Sequence, residues 1–129
     1  MNHNKIISTL GESIRAGPMT GRYNVAAATL DRRGNIIATA QNSYVKTHPM
    51  QKRLAYLCGN SSREYLHAEI AAIVKSERKP YAIAIARVSH DGSIKPARPC
   101  PICMLAIKEA KIKLMLFTGE NQIIYEEVK

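Results

Sequence analysis

Residues 81–88 constrain the fold most. Tyr81, Ile83 and Ile85 alternate with Ala82, Ala84 and Ala86, so the segment is apolar on both faces. Such a run reads as a central strand buried between two layers, with helices lying close over its alanine side. The flanking patterns supply those layers. Ile6, Ile7, Leu10 and Ile14 follow the spacing of one helix face, and Gly17-Pro18 stops that helix. Residues 23–31 and 36–41 read as two strands joined by a glycine-containing turn, an antiparallel hairpin. Helices are predicted from about His67 to Glu77, ending before Lys79-Pro80, and from Pro101 to about Ala110. Residues 113–118 and 122–128 form a second hairpin across Gly119-Glu120-Asn121. The sum is a three-layer α/β fold with mixed strand directions.

A chain of 129 residues has room for one such domain, spanning 1–129. No apolar run reaches the roughly 18 residues needed to cross a bilayer. Residues 1–16 alternate polar and apolar and lack the continuous apolar core of a secretory signal. Asn60-Ser61-Ser62 therefore reads as a chance glycosylation match, and a cytoplasmic location is expected. Three cysteines, two of them close together, suit a reducing compartment and a metal site better than a disulfide framework. The formal net charge of +9 favours phosphate-bearing partners. Residues 42–66 are mostly irregular, with a short helix near 51–57. A loop this long is usually functional or mobile.

Two short segments carry chemistry. His67-Ala68-Glu69 opens one helix and Pro99-Cys100-Pro101-Ile102-Cys103 opens the next. Cys100 and Cys103, at i and i+3, put two sulfurs on one helical face, close enough to share a tetrahedral zinc. Pro101 suits the first helical position, which places Cys100 at the N-cap, where free N–H groups stabilise thiolates. His67 brings an imidazole from a second direction. Three protein ligands leave a fourth position open for water, as at a catalytic zinc. Glu69, two residues beyond His67, points elsewhere and suits proton transfer beside the metal. Alone, a CxxC pair also fits a structural site or a redox pair. A closed structural site needs a fourth ligand, and Cys58, His48 and His90 stand at no regular spacing.

Together the two segments resemble the HxE…PCxxC signature of the cytidine deaminase-like superfamily. The resemblance runs from about residue 5 to the end. It implies a five-stranded mixed sheet with a C-terminal antiparallel hairpin, one Zn2+ per chain held between two helix N-termini, and hydrolytic deamination. It also implies that Asn42 binds sugar or base, and that backbone around Ala68 and Cys100 frames a pyrimidine. A histidine first ligand resembles deoxycytidylate, tRNA-adenosine, guanine and polynucleotide-cytosine deaminases, whereas the final hairpin resembles the free-nucleoside branch. Relatives of this size often form homo-oligomers.

Around the site, Arg98 and Lys95 border the approach to the PCxxC helix, and Arg22 precedes the first strand. The long loop interleaves Lys46, Lys52, Arg53 and Arg63 with Tyr44, His48, Tyr56 and Tyr65, a pattern able to hold phosphate and stack a base but more often a solvated surface with tyrosines half buried. Cys58 reads as a small buried hydrophobe. The expected activity is conversion of cytosine to uracil in a small nucleoside or nucleotide. One alternative is a cytosine deaminase of single-stranded DNA or RNA. A remoter one is a nucleic-acid-binding module with structural zinc, against which Glu69 argues.

Overall fold

The computed structural model describes residues 3–17, 24–59 and 65–129. Pro18, Arg22, Tyr23, Arg63 and Asn60-Ser61-Ser62 lie outside the described residues. The elements follow the order α1 (His3–Ala16), β1 (Asn24–Leu30), β2 (Ile36–Gln41), α2 (Pro49–Leu57), α3 (Ala68–Lys75), β3 (Ala82–Val88), β4 (Ile94–Lys95), α4 (Pro101–Glu109), β5 (Leu114–Thr118) and β6 (Ile123–Glu127).

The sheet order is β2-β1-β3-β5-β6, with β4 paired to the end of β3. β3 runs antiparallel to β1 and parallel to β5, so the sheet is mixed and β3 is central. β5 and β6 form the expected antiparallel hairpin, in register from Leu114↔Glu127 to Thr118↔Ile123. A sixth strand departs from the expected five. Val88 pairs with Ile94 and Arg87 with Lys95. Gly92 takes φ 86° in the turn, and the Asp91 carboxylate accepts hydrogen bonds from the Ser93 N–H and from the Ser89 and Ser93 hydroxyls. Asp91-Gly92 is a hairpin signal of the same kind as the one read at Gly119, but the strand it starts is only two residues long.

The two faces of β3 are covered as its alternation requires. Ile6, Leu10 and Ile14 of α1 pack on Ala26, Ala28, Ala82, Ala84 and Ala86. On the other face Ile83 and Ile85 meet Ala68, Ala71 and Ala72 of α3 and Ile107 of α4. Outside that layer α2 packs Leu54 and Ala55 against Ile70, Ile102, Cys103 and Ala106. α3 ends two residues before the expected Glu77. Ser76 turns extended, its hydroxyl 2.9 Å from the Ala72 carbonyl and 2.6 Å from Thr29 Oγ1, which stops the helix and ties it to β1.

Small residues set the spacing of α1 from the sheet, and Ala84 is fully buried beneath it. Ala84→Leu should overpack this interface and cost about 1–3 kcal/mol. Chemical denaturation of the variant beside the wild type measures it.

Candidate metal centre and active site

Both chemistry-bearing segments sit at helix N-caps. His67 precedes α3 with φ −77° and ψ 151°, and Cys100 precedes α4 with φ −70° and ψ 167°. Each helix closes its first turn from the cap carbonyl, Ala71 N–H to His67 and Met104 N–H to Cys100. Neither cap side chain makes a capping hydrogen bond. Both turn to a common point. His67 Nδ1 lies 3.3 Å from Cys103 Sγ and 3.6 Å from Cys100 Sγ, and the three donor atoms fall within 4.8 Å of one another.

These separations can be tested against a metal. Zinc bonds of about 2.3 Å to sulfur and 2.0 Å to nitrogen, set tetrahedrally, hold S and N about 3.5 Å apart. The donors present fit zinc in kind, number and spacing. Position is fixed from behind by α2, where Gln51, buried, accepts the His67 N–H at 3.1 Å through Oε1. Nothing in the local spacing of Gln51 pointed to this role, because its partner lies 16 residues away.

The two thiols differ sharply. A hydrogen bond from Cys103, reinforced by His67, holds Cys100 down to about 4, against the opposing effect of burial. Cys103 is pushed well above the ordinary thiol range, first by that same hydrogen bond, then by burial and the Glu69 charge. Glu69, in the first turn of α3, is also buried. Burial raises its carboxyl, and the Cys100 charge adds to the rise, while its own N–H and His67 oppose it.

A cavity of about 520 Å³ opens onto this centre. His67, Ala68, Glu69 and Cys100 line it together with Asn42, Tyr44, Arg87 and Arg98. Asn42 is clamped to β1, its Oδ1 accepting the Val25 N–H at 2.9 Å and its N–H donating to the Val25 carbonyl at 3.1 Å. Arg98 lies 3.2 Å from the Glu126 carboxylate in an exposed pair. Arg87 escaped sequence reading. It sits on the same face of β3 as Ile83 and Ile85, and a single cation on that otherwise apolar face was the available signal.

The structure separates other candidates from the cavity. His48 caps α2, its Nδ1 accepting the Met50 N–H at 3.1 Å, and it does not line the cavity. Arg53 makes a two-pronged pair with Glu109 at 2.9 and 2.7 Å. Lys46, Lys52 and Lys95 are exposed and outside the lining, as is Tyr56. Cys58 is half-buried at the end of α2, against the α2/α3/α4 cluster.

A His/Cys/Cys centre with a buried carboxyl beside it, set between two helix N-termini under a mixed sheet, defines a zinc-dependent deaminase. The chain matches the family model described as the cytidine and deoxycytidylate deaminase zinc-binding region over residues 3–118, and it belongs to that family. No curated protein sequence matches it significantly. Among solved structures it is similar to the cytidine deaminase of Burkholderia pseudomallei, with 17% identity, TM-score 0.65, and 99% of this chain covering 94% of that one. It is also similar to two structures of cytidine deaminase from Mycobacterium tuberculosis, one of them a mutant. These have 20% and 19% identity and TM-scores of 0.54, with 95% of this chain covering 89% of each. No helix among the described residues is long and apolar enough to cross a membrane.

The purified protein should carry about one zinc per chain, and a Cys100→Ser, Cys103→Ser double variant should carry none while losing thermal stability. Gln51→Met, which removes the side-chain acceptor of the His67 backbone N–H, should weaken zinc binding. Atomic emission and competition with a chromophoric chelator report the two quantities.

Proposed function

We propose that the chain hydrolyses the exocyclic amine of cytosine in a small nucleoside or nucleotide, giving uracil and ammonia. The observation that carries this reading is the cavity itself. Its 520 Å³ lies within the range of small-molecule sites, and its lining includes Glu69 and two of the three donor residues, His67 and Cys100. Its cations, Arg87 and Arg98, are few.

The reaction asks four things of the site: hold the ring, deliver water to C4, protonate the ring nitrogen N3, and protonate the departing amine. When bound, zinc supplies the Lewis acidity that makes water nucleophilic near neutral pH. Glu69 takes a proton from the attacking water and passes it to N3 as C4 becomes tetrahedral. It then carries the second proton to the amine, which leaves as ammonia. Its burial suits this work, because a carboxyl raised toward neutrality both accepts and gives protons readily. Ala68, fully buried at the first helical position, offers backbone groups along one edge of the ring. Asn42, held by Val25 and lining the cavity, is the residue we assign to the sugar or base. Thiolate ligands suit a reducing compartment, so we place the activity in the cytoplasm.

A single-stranded substrate would require several cations tracking a backbone into the cavity. Lys46, Lys52 and Arg53 do not line it, which favours the small substrate. A structural zinc site would have no use for a carboxyl buried on the wall of an open cavity.

Glu69→Gln should keep zinc and fold but lower turnover of cytidine or deoxycytidylate by about 10²–10⁴-fold. Near wild-type turnover would move the proton shuttle elsewhere. Arg98→Ala should raise KM for deoxycytidylate and leave cytidine and deoxycytidine nearly unchanged. Mass-spectrometric assay of an oligonucleotide bearing one cytosine should show no product; robust product, with a log–log salt slope of about −0.7 per phosphate contacted, would transfer the reading to single strands.

A further inference from the structure

A second cavity, of about 400 Å³, lies at the opposite end of the sheet. Tyr81 lines it and Arg87 lines the first, so the two are separated by the length of β3, about 20 Å at roughly 3.3 Å per residue. Three connections form it: the β1–β2 turn with Arg32 and Arg33, the α3–β3 link with Arg78 and Lys79, and the α4–β5 link with Lys111 and Lys113. Among the described residues lining it, six are cations and one is an acid, Asp31. That acid is already engaged. Its carboxylate accepts the N–H groups of Arg33 and Asn35 at 2.9 Å and pairs with Arg78 at 3.3 Å.

Two details bear on this positive charge. The Arg32 guanidinium lies 5.2 Å from the centre of the Tyr81 ring, which fixes it over the cavity wall. Lys111 is the one non-glycine residue among those described with a left-handed backbone, φ 58°. It closes α4 as a Schellman motif, Lys111 N–H to the Lys108 carbonyl and Ile112 N–H to the Ile107 carbonyl. Glycine or asparagine belongs at such a position, and a lysine there is strained. The fold thus keeps a cation at this cavity against local backbone preference, a departure that points to a function for it.

We propose that this cavity is a second, non-catalytic site for a polyphosphate group, such as adjacent phosphates of a nucleic-acid strand or those of a nucleoside polyphosphate. Several converging guanidinium and ammonium groups with a single engaged carboxylate match closely spaced phosphate oxygens. A lone phosphate would engage only part of the set. The inference stands on the cavity alone and does not depend on the deaminase substrate.

Inorganic tripolyphosphate and a fluorescein-labelled oligothymidylate of about twelve nucleotides serve as probes, the second long enough to span a single-strand site. Both are titrated into the wild type, into Arg98→Ala, and into a Lys79→Gln, Lys111→Gly, Lys113→Gln variant. The triple variant should bind tripolyphosphate about tenfold or more weakly, and its log–log salt slope for the oligonucleotide should fall by about 2, since three cations are removed. Arg98→Ala should bind both probes as the wild type does. Lys111→Gly alone should raise the melting temperature while weakening binding, so that loss of binding cannot be assigned to loss of fold. Cytidine deamination by the triple variant should be unchanged. Tighter binding of the oligonucleotide than of tripolyphosphate identifies a strand as the source of the phosphates, and the reverse order a free polyphosphate. Unchanged binding in the triple variant, or loss confined to Arg98→Ala, overturns the proposal.

Discussion

The site depends on one constraint: two helices must begin at the same edge of the sheet, each with its cap residue turned away from capping. In most helices an N-cap side chain satisfies the first turn's orphan N–H groups. His67 and Cys100 leave that task and face each other, joined by Cys103 from the first turn of α4. The two N-termini then contribute their positive dipole ends to a centre built around a thiolate. Every other feature of the catalytic end follows from holding those termini together. α2 packs across α3 and α4 and grips the His67 backbone through Gln51, and the isoleucine face of β3 carries both helices.

That arrangement also explains the unequal side-chain sizes in the layers. α3 meets the sheet through Ala68, Ala71 and Ala72, and α1 meets the other face over alanines of β1 and β3. Close approach on both faces keeps the α3 N-terminus near β1, where Asn42 is bonded to Val25. Glu69 is therefore buried by the same packing that delivers it. A carboxyl in that position is costly to the fold and useful to the chemistry for one reason, its poor solvation.

Legibility in the sequence tracked how local each feature is. The His67/Glu69 and Cys100/Cys103 pairs were readable because i, i+2 and i, i+3 spacings on helix starts fix geometry within a turn. β3 was readable because its alternation is strict, and β2 matched residue for residue over Ile36–Gln41. β4 was missed, since two residues give no periodicity and only Asp91-Gly92 announced it. Arg87 was hidden inside an apolar strand, where the eye reads core. His48 looked like a pocket residue because its loop is basic and aromatic, whereas its ring serves the backbone of α2. Gln51 and the second cavity depend on partners far apart in sequence, and no pattern along the chain predicts them.

The net charge of +9 was the weakest guide to function, and the structure shows why. At the catalytic end, Arg98 meets Glu126, and Arg53, outside the cavity lining, meets Glu109, so part of the positive charge there is neutralised by acids. The surplus gathers instead around the second cavity. At physiological ionic strength exposed charges are screened over about 8 Å. A field arising about 20 Å away, at the far end of β3, therefore contributes little to drawing a substrate toward Glu69. Charge and catalysis occupy opposite ends of one strand, and affinity for polyanions says nothing about what is deaminated.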